Sequence, residues 1–222
     1  MSDTSPVATD VSPVIVAIDG PAGAGKSTVG RAVASRLGLQ YLDTGAMYRA
    51  VTFAALRRGI DPTDETDVAS LAAAIEMTLD GTAVIVDGVD ATVEIRGREV
   101  TAAVSAVAAN SRVRAELVRR QRSWVAEHGG GVVEGRDIGS VVFPDATLKL
   151  YVTASPRVRA ERRVAEIGGN VDDVESSIIE RDRKDSTRAD SPLMESSGAI
   201  VVENTGSSVD EVVDPVLGLM PA

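Results

Sequence analysis

The residues with the clearest capacity for chemistry are Gly20-Pro21-Ala22-Gly23-Ala24-Gly25-Lys26-Ser27-Thr28, which fit the pattern GxxxxGK[ST]. They follow the apolar run Val14 to Ile18 and Asp19, and they lead into a segment of helical periodicity. Glycines in such a turn let the backbone aim its N–H groups at a phosphate chain, and the helix beyond adds its positive end. In this arrangement Lys26 reaches the β and γ oxygens of a nucleoside triphosphate, and the Ser27 hydroxyl holds Mg²⁺ between them.

Several arginine-containing stretches are candidates for the other side of the reaction. Tyr41-Leu42-Asp43-Thr44-Gly45-Ala46-Met47-Tyr48-Arg49 reads as a short strand, a turn and a helix start, with Thr44 as the expected N-cap and Arg49 one helical turn past Gly45. Glu134-Gly135-Arg136-Asp137-Ile138-Gly139 follows an apolar strand, at the strand end where ligands bind in open α/β sheets. Arg157, Arg159, Arg162 and Arg163 follow Ser155-Pro156, and their spacing puts several on one helix face. They are expected to close over the triphosphate as a lid, with Arg159 and Arg163 spreading the transition-state charge. Arg181, Asp185 and Arg188 lie in a second, mixed-charge segment. The single histidine, His128, precedes Gly129-Gly130-Gly131 and reads as a helix-end residue. No Ser/His/Asp group is apparent. A phosphate acceptor needs none, because a phosphate monoester is largely a dianion at neutral pH.

Apolar runs at Val14 to Ile18, Gly131 to Glu134, Leu148 to Val152 and Ala199 to Glu203 read as buried parallel strands. Helices are expected over Lys26 to Leu37, Ala46 to Arg58, Arg112 to His128, Pro156 to Ile167, Val171 to Lys184 and Ser208 to Leu217. The alternation implies an α/β fold with a doubly wound parallel sheet flanked by helices. Met77 to Val100 breaks the rhythm with paired turn signals between short β-prone runs, which predicts a small antiparallel insert. The expected organisation is a flexible tail over residues 1–12 and one domain over 13–222. Within that domain an acceptor-binding insert covers about 45–105 and a helical lid about 156–170.

The chain has 222 residues, 44% hydrophobic and 25% charged, enough for one α/β core. Cysteine is absent, which removes disulfides and thiolate metal sites, and the cytoplasm is the expected compartment. The net charge of −10 argues against a nucleic-acid coat protein, and no apolar run is long enough to span a membrane. Twenty of the 23 basic residues are arginine, suited to bidentate phosphate recognition. No lysine follows an asparagine, so the guanine-reading motif of GTPase switches is missing. Transfer to a small acceptor is the expected activity, by a monomer.

The blocks IDGPAGAGKST, LDTGAMYR, ANSRVRAELVRRQR, VVEGRDIGSVVFPDA and ERDRKDSTR together resemble bacterial cytidylate kinases, in that family's order and over about Val14 to Val213. The resemblance implies a kinase that moves the γ-phosphoryl of Mg-ATP to CMP or dCMP. It implies that Thr44, Arg49 and Arg136 contact the acceptor phosphate. It implies that Ser105, Arg114 and Asp137 read cytosine, and that Arg181, Asp185 and Arg188 contact the sugar and phosphate. A kinase for another monophosphate or a small metabolite is the competing reading.

Overall fold

The computed structural model describes residues 13–220. The expected tail over 1–12 lies outside these residues. Five parallel strands form the central sheet: β1 (Val14–Asp19), β2 (Tyr41–Asp43), β6 (Gly130–Glu134), β7 (Leu148–Thr153) and β8 (Ile200–Glu203), in the order β2-β6-β1-β7-β8. β1 is central because its Val-Ile-Val-Ala-Ile run is apolar on both faces, as a strand covered by helices on each side must be.

On one face Val16, Ile18, Val132, Leu150 and Val152 pack under α1 (Lys26–Leu37) and α8 (Val209–Leu217). On the other, Ala17, Leu42 and Val133 pack under α2 (Thr44–Arg57) and α5 (Ser111–His128). Parallel register aligns the strand ends, with Asp43 opposite Glu134, Ile18 opposite Glu134 and Asp19 opposite Tyr151. Three carboxylates, Asp19, Asp43 and Glu134, are thereby gathered at the carboxyl edge of the sheet, where the chemistry-bearing loops begin.

The insert is a three-stranded antiparallel sheet, β3 (Met77–Asp80), β4 (Ala83–Val86) and β5 (Val89–Asp90). It is shorter than the sequence suggests. Of the Ala91 to Ile95 backbone only Ala91 still bonds β4, its N–H donating to Val84 O; Glu94–Arg96 forms a turn of 3-10 helix, and Arg98 already opens α4 (Arg98–Ala109). Neither α4 nor α3 (Glu65–Ala74) is expected from the sequence, and both pack with β4 around α2. α6 (Pro156–Ile167) and α7 (Val171–Thr187) form a helical hairpin.

Two capping expectations can be compared with the structure. Thr44 is not the N-cap of α2: Asp43 takes that position, its carboxylate accepting from the Ala46 N–H, and Thr44 is the first helical residue. His128 ends α5, its Nδ1 2.7 Å from the Trp124 carbonyl and its ring stacked on Trp124.

Candidate active site

The chain leaves β1 at Asp19 and turns at Gly20, whose φ of 142° and contact with β7 both require glycine: a Cβ there would stand 2.0 Å from the Val152 carbonyl oxygen. Gly25, at φ 93°, is similarly confined, since an added Cβ would meet the Asn204 amide at 2.2 Å. The loop carbonyls are bonded within the protein. Lys26 Nζ donates to Pro21 O at 2.9 Å, Arg159 to Ala22 O at 3.0 Å and Asn204 to Ala24 O at 2.8 Å. This leaves the loop amides and the start of α1 for an anion.

Lys26 is buried, and burial, reinforced by Arg136, holds its pKa well below the usual lysine range, while Glu134 and Asp43 oppose the shift. The Ser27 hydroxyl donates to Glu134 Oε1 at 2.9 Å. Burial and the charge of Asp43 push the Glu134 pKa up, and its buried Oε2 has no hydrogen-bond partner among the described residues. A hydroxyl beside an orphaned carboxylate oxygen is an oxygen donor set suited to a hard divalent cation.

Across from the cradle, one open cavity is lined by all nine residues expected on the acceptor side: Thr44, Arg49, Ser105, Arg114, Arg136, Asp137, Arg181, Asp185 and Arg188. Gly45, Tyr48, Val104, Ala108 and Gly135 complete its lining. Five arginines from four segments are held there by a small set of acceptors. Arg114 pairs with Asp137, both almost fully buried, and stands 5.7 Å over the Tyr48 ring. Arg188 lies 3.7 Å from the other Asp137 oxygen. Arg136 donates to Asp185 at 3.0 Å, and Arg49 to Ile95 O and Thr101 Oγ1. Thr44 donates to Glu134 O at 2.7 Å, which joins the two halves of the site.

The cations outnumber their partners at the gap between cradle and cavity. Burial, then Arg181 and Arg96, lower the Arg49 pKa to about 10. Burial and then Arg136 lower that of Arg181, whose Nε is buried without a partner among the described residues. Arg163 adds to the repulsion on both Arg49 and Arg181. A site that crowds positive charge in this way is arranged for a polyanion.

Arg136 and Asp137 are aimed by a residue that sequence reasoning overlooked. Asp19 accepts from the N–H groups of Ile138 and Gly139, at 2.8 Å each, and so caps the five-residue π-helical turn Ile138–Val142 that follows. Burial raises the Asp19 pKa to about 6 despite those two donors. An acid at the end of a wholly buried strand was the available signal for both Asp19 and Glu134. Tyr48, Val104 and Ala108 had no sequence signal beyond helical spacing.

The lid expectation needs correction for one residue. Arg159 is not on an exposed, closing face; it is 3% exposed and bonded to Ala154 O, to Ala22 O of the cradle loop and to Asp182. It is the fourth helical residue after Ser155 and faces the core between α6 and the loop. Arg162 donates to Asn204 O at 2.6 Å, and Arg163 pairs with Glu166 at 3.2 Å on a partly exposed face.

A phosphate cradle and an arginine-ringed anion cavity, opening side by side at the carboxyl edge of one parallel sheet, define a P-loop kinase fold. Solved structures agree on the fold: a gluconokinase from Sinorhizobium meliloti aligns over 94% of this chain and 91% of its own, with a TM-score of 0.52 and 15% identity. Residues 16–222 match the family described as cytidylate kinase. A cytidylate kinase of Corynebacterium efficiens is 46% identical over 94% of this chain and 95% of its own length, and one of Symbiobacterium thermophilum 49% identical over 92% and 94%. The bifunctional pantoate ligase/cytidylate kinase of Synechococcus sp. RCC307 is 49% identical, and this chain spans 42% of its length. The chain belongs to the cytidylate kinase family. No described helix is long and apolar enough to cross a membrane.

Proposed function

We propose that the chain transfers the γ-phosphoryl of ATP to CMP and dCMP, as a monomer in the cytoplasm. The observation that carries this reading is the buried Asp137–Arg114 pair in an arginine-lined gap whose Arg136 and Arg181 lie close enough to act on Lys26 of the Gly20–Ser27 cradle. In this reading the cradle amides, Gly20 through Thr28, hold the triphosphate, and Lys26 draws toward its β and γ oxygens. Arg136, Arg181 and Arg163 surround the phosphoryl group in flight, and its negative charge relieves the repulsion among them. The acceptor phosphate, held by Thr44, Arg49 and Arg136, attacks as a dianion with no base, since its second pKa is near 6. Positioning and charge neutralisation supply the catalysis.

Asp137 accepts from the exocyclic amine of cytosine, while Arg114 and Ser105 address its N3 and O2 acceptors. Asp185 and Arg188 meet the sugar. Ser27 and Glu134 would hold Mg²⁺, which supplies neutralisation of the β,γ oxygens when bound. The insert, about 45–105, and the lid, about 156–170, are the parts that close on the substrates.

ADP release measured with CMP, dCMP, UMP, AMP, GMP and shikimate tests the reading. CMP and dCMP should be the efficient acceptors. Poor turnover of both, with another acceptor used well, overturns the assignment.

A further inference from the structure

Arg159 and Asp182 form a connection that the proposed transfer reaction leaves without a role. Arg159 is buried on α6, and each arm of its guanidinium is committed: Nε to Ala154 O at 2.9 Å, Nη1 to Ala22 O at 3.0 Å and Nη2 to Asp182 at 2.6 Å. Ala154 ends the stretch leaving β7, Ala22 is in the phosphate loop, and Asp182 is on α7. One side chain thus joins the cradle, the sheet edge and the helical hairpin. Asp182 directly follows Arg181 and precedes Asp185 by one helical turn, so the helix that lines the acceptor cavity also grips the support of the donor loop. The other Asp182 oxygen is buried without a hydrogen-bond partner among the described residues, where Arg159 is the only cation in direct ion-pair contact with Asp182, whose charge also reaches the neighbouring Arg181.

We propose that Asp182 and Arg159 are positioning residues that set the phosphate loop from behind and couple its shape to the helix of the acceptor cavity. The inference deepens the functional reading above and rests on it. Arg159 orients the Ala22 carbonyl away from the anion so that the neighbouring loop amides face inward, and Asp182 holds the guanidinium in the plane that this requires. Lysine cannot replace that fork: one ammonium is a compact point donor and cannot meet three acceptors in one plane.

The distinguishing consequence is that a change on the acceptor helix should register on the donor. Asp182→Asn keeps the side-chain volume and removes the charge. It should weaken Mg-ATP binding about tenfold, the scale of one charge-assisted hydrogen bond only partly transmitted, while KM for CMP changes less than about threefold. Arg159→Lys should reproduce the donor-side loss. Combined, the two changes should cost little more than either alone, because they break one network. Asp182→Glu restores the charge and should recover part of the ATP affinity.

Calorimetric titration of each variant with Mg-ATP, alongside steady-state KM values for both substrates and a thermal melt, reads all of this. A simple loosening of α7 predicts the reverse pattern, since Arg181, Asp185 and Arg188 are carried there and CMP would suffer first. An Asp182→Asn enzyme with unchanged ATP affinity, or with a larger loss for CMP than for ATP, overturns the coupling. Failure of the wild-type chain to bind Mg-ATP would instead overturn the cradle itself, and the coupling with it.

Discussion

Replacing Asp137 by Asn probes the reading of cytosine with little change of shape. Asp137 is 5% exposed, Arg114 beside it is 4% exposed, and Arg188 is 3.7 Å away. Removing one member of a buried pair commonly destabilises a protein by about 3 to 5 kcal/mol. Because the Asn oxygen can still accept from one arginine, the lower end applies, about 3 kcal/mol. For a chain of this size that lowers the melting temperature by roughly 6 to 12 °C. The larger consequence concerns the base. A carboxylate can only accept and so suits the amine of cytosine, whereas an amide can turn its NH₂ toward the carbonyl that uracil carries instead. The loss of one charge-assisted bond, about 1.5 to 3 kcal/mol, predicts a rise of about 10- to 100-fold in KM for CMP. KM for ATP should stay within about threefold, and the preference for CMP over UMP should narrow. Coupled-enzyme kinetics at saturating ATP and then at saturating CMP, below the variant's melting range, give each value. Equal effects on the two substrates, or an unchanged CMP-to-UMP ratio, would refute the base-reading role.

Lys26→Ala should abolish most turnover while circular dichroism stays native, because the buried ammonium makes one hydrogen bond, to Pro21 O, that the loop can forgo; near-normal activity would contradict its place on the phosphates. Glu134→Gln should raise the Mg²⁺ concentration needed for half-maximal rate and weaken Mg-ATP more than metal-free ATP in direct titration, and an equal effect on both would remove it from the cation site. Asp19 makes stability depend on pH: its folded pKa of about 6 lies above the unfolded 3.8, so the folded state binds the extra proton. Its contribution is complete below about pH 4 and lost as pH rises through about 6, a change of about 3 kcal/mol. Denaturant unfolding at several pH values should show that slope in the wild type and a flatter one in Asp19→Asn. Identical slopes would contradict the buried carboxyl.

The sequence was most legible where local pattern and tertiary role coincide. Val14 to Thr28 carries strand, glycine turn and helix start in one motif whose context is part of its meaning, and the structure reproduces it. The acceptor side was legible through arginine blocks, which the fold gathers from α2, α5, α7 and the loop after β6 into one cavity. α3 and α4 were not. Glu65–Ala74 is mostly small residues, so its apolar face is weakly marked, although Asp64 does cap it by accepting from Thr66 and Asp67 N–H, whereas Arg98–Ala109 carries a Val100, Val104, Val107 stripe whose start the β-prone reading of Met77 to Val100 obscured. Thr44 and Asp43 are both favoured N-cap types, Asp the more so, and the path out of β2 places Asp43 at the cap. Arg159 illustrates the other limit. Helical spacing grouped it with Arg162 and Arg163, but its direction depends on how α6 packs against the loop, which spacing does not encode.

The most direct test of phosphoryl transfer is to supply ATP labelled at its γ-phosphate together with CMP and to follow the label. The account predicts labelled CDP in one-to-one proportion with ADP, with little free phosphate and no transfer when CMP is omitted. Label released as inorganic phosphate at the same rate with or without CMP would contradict it.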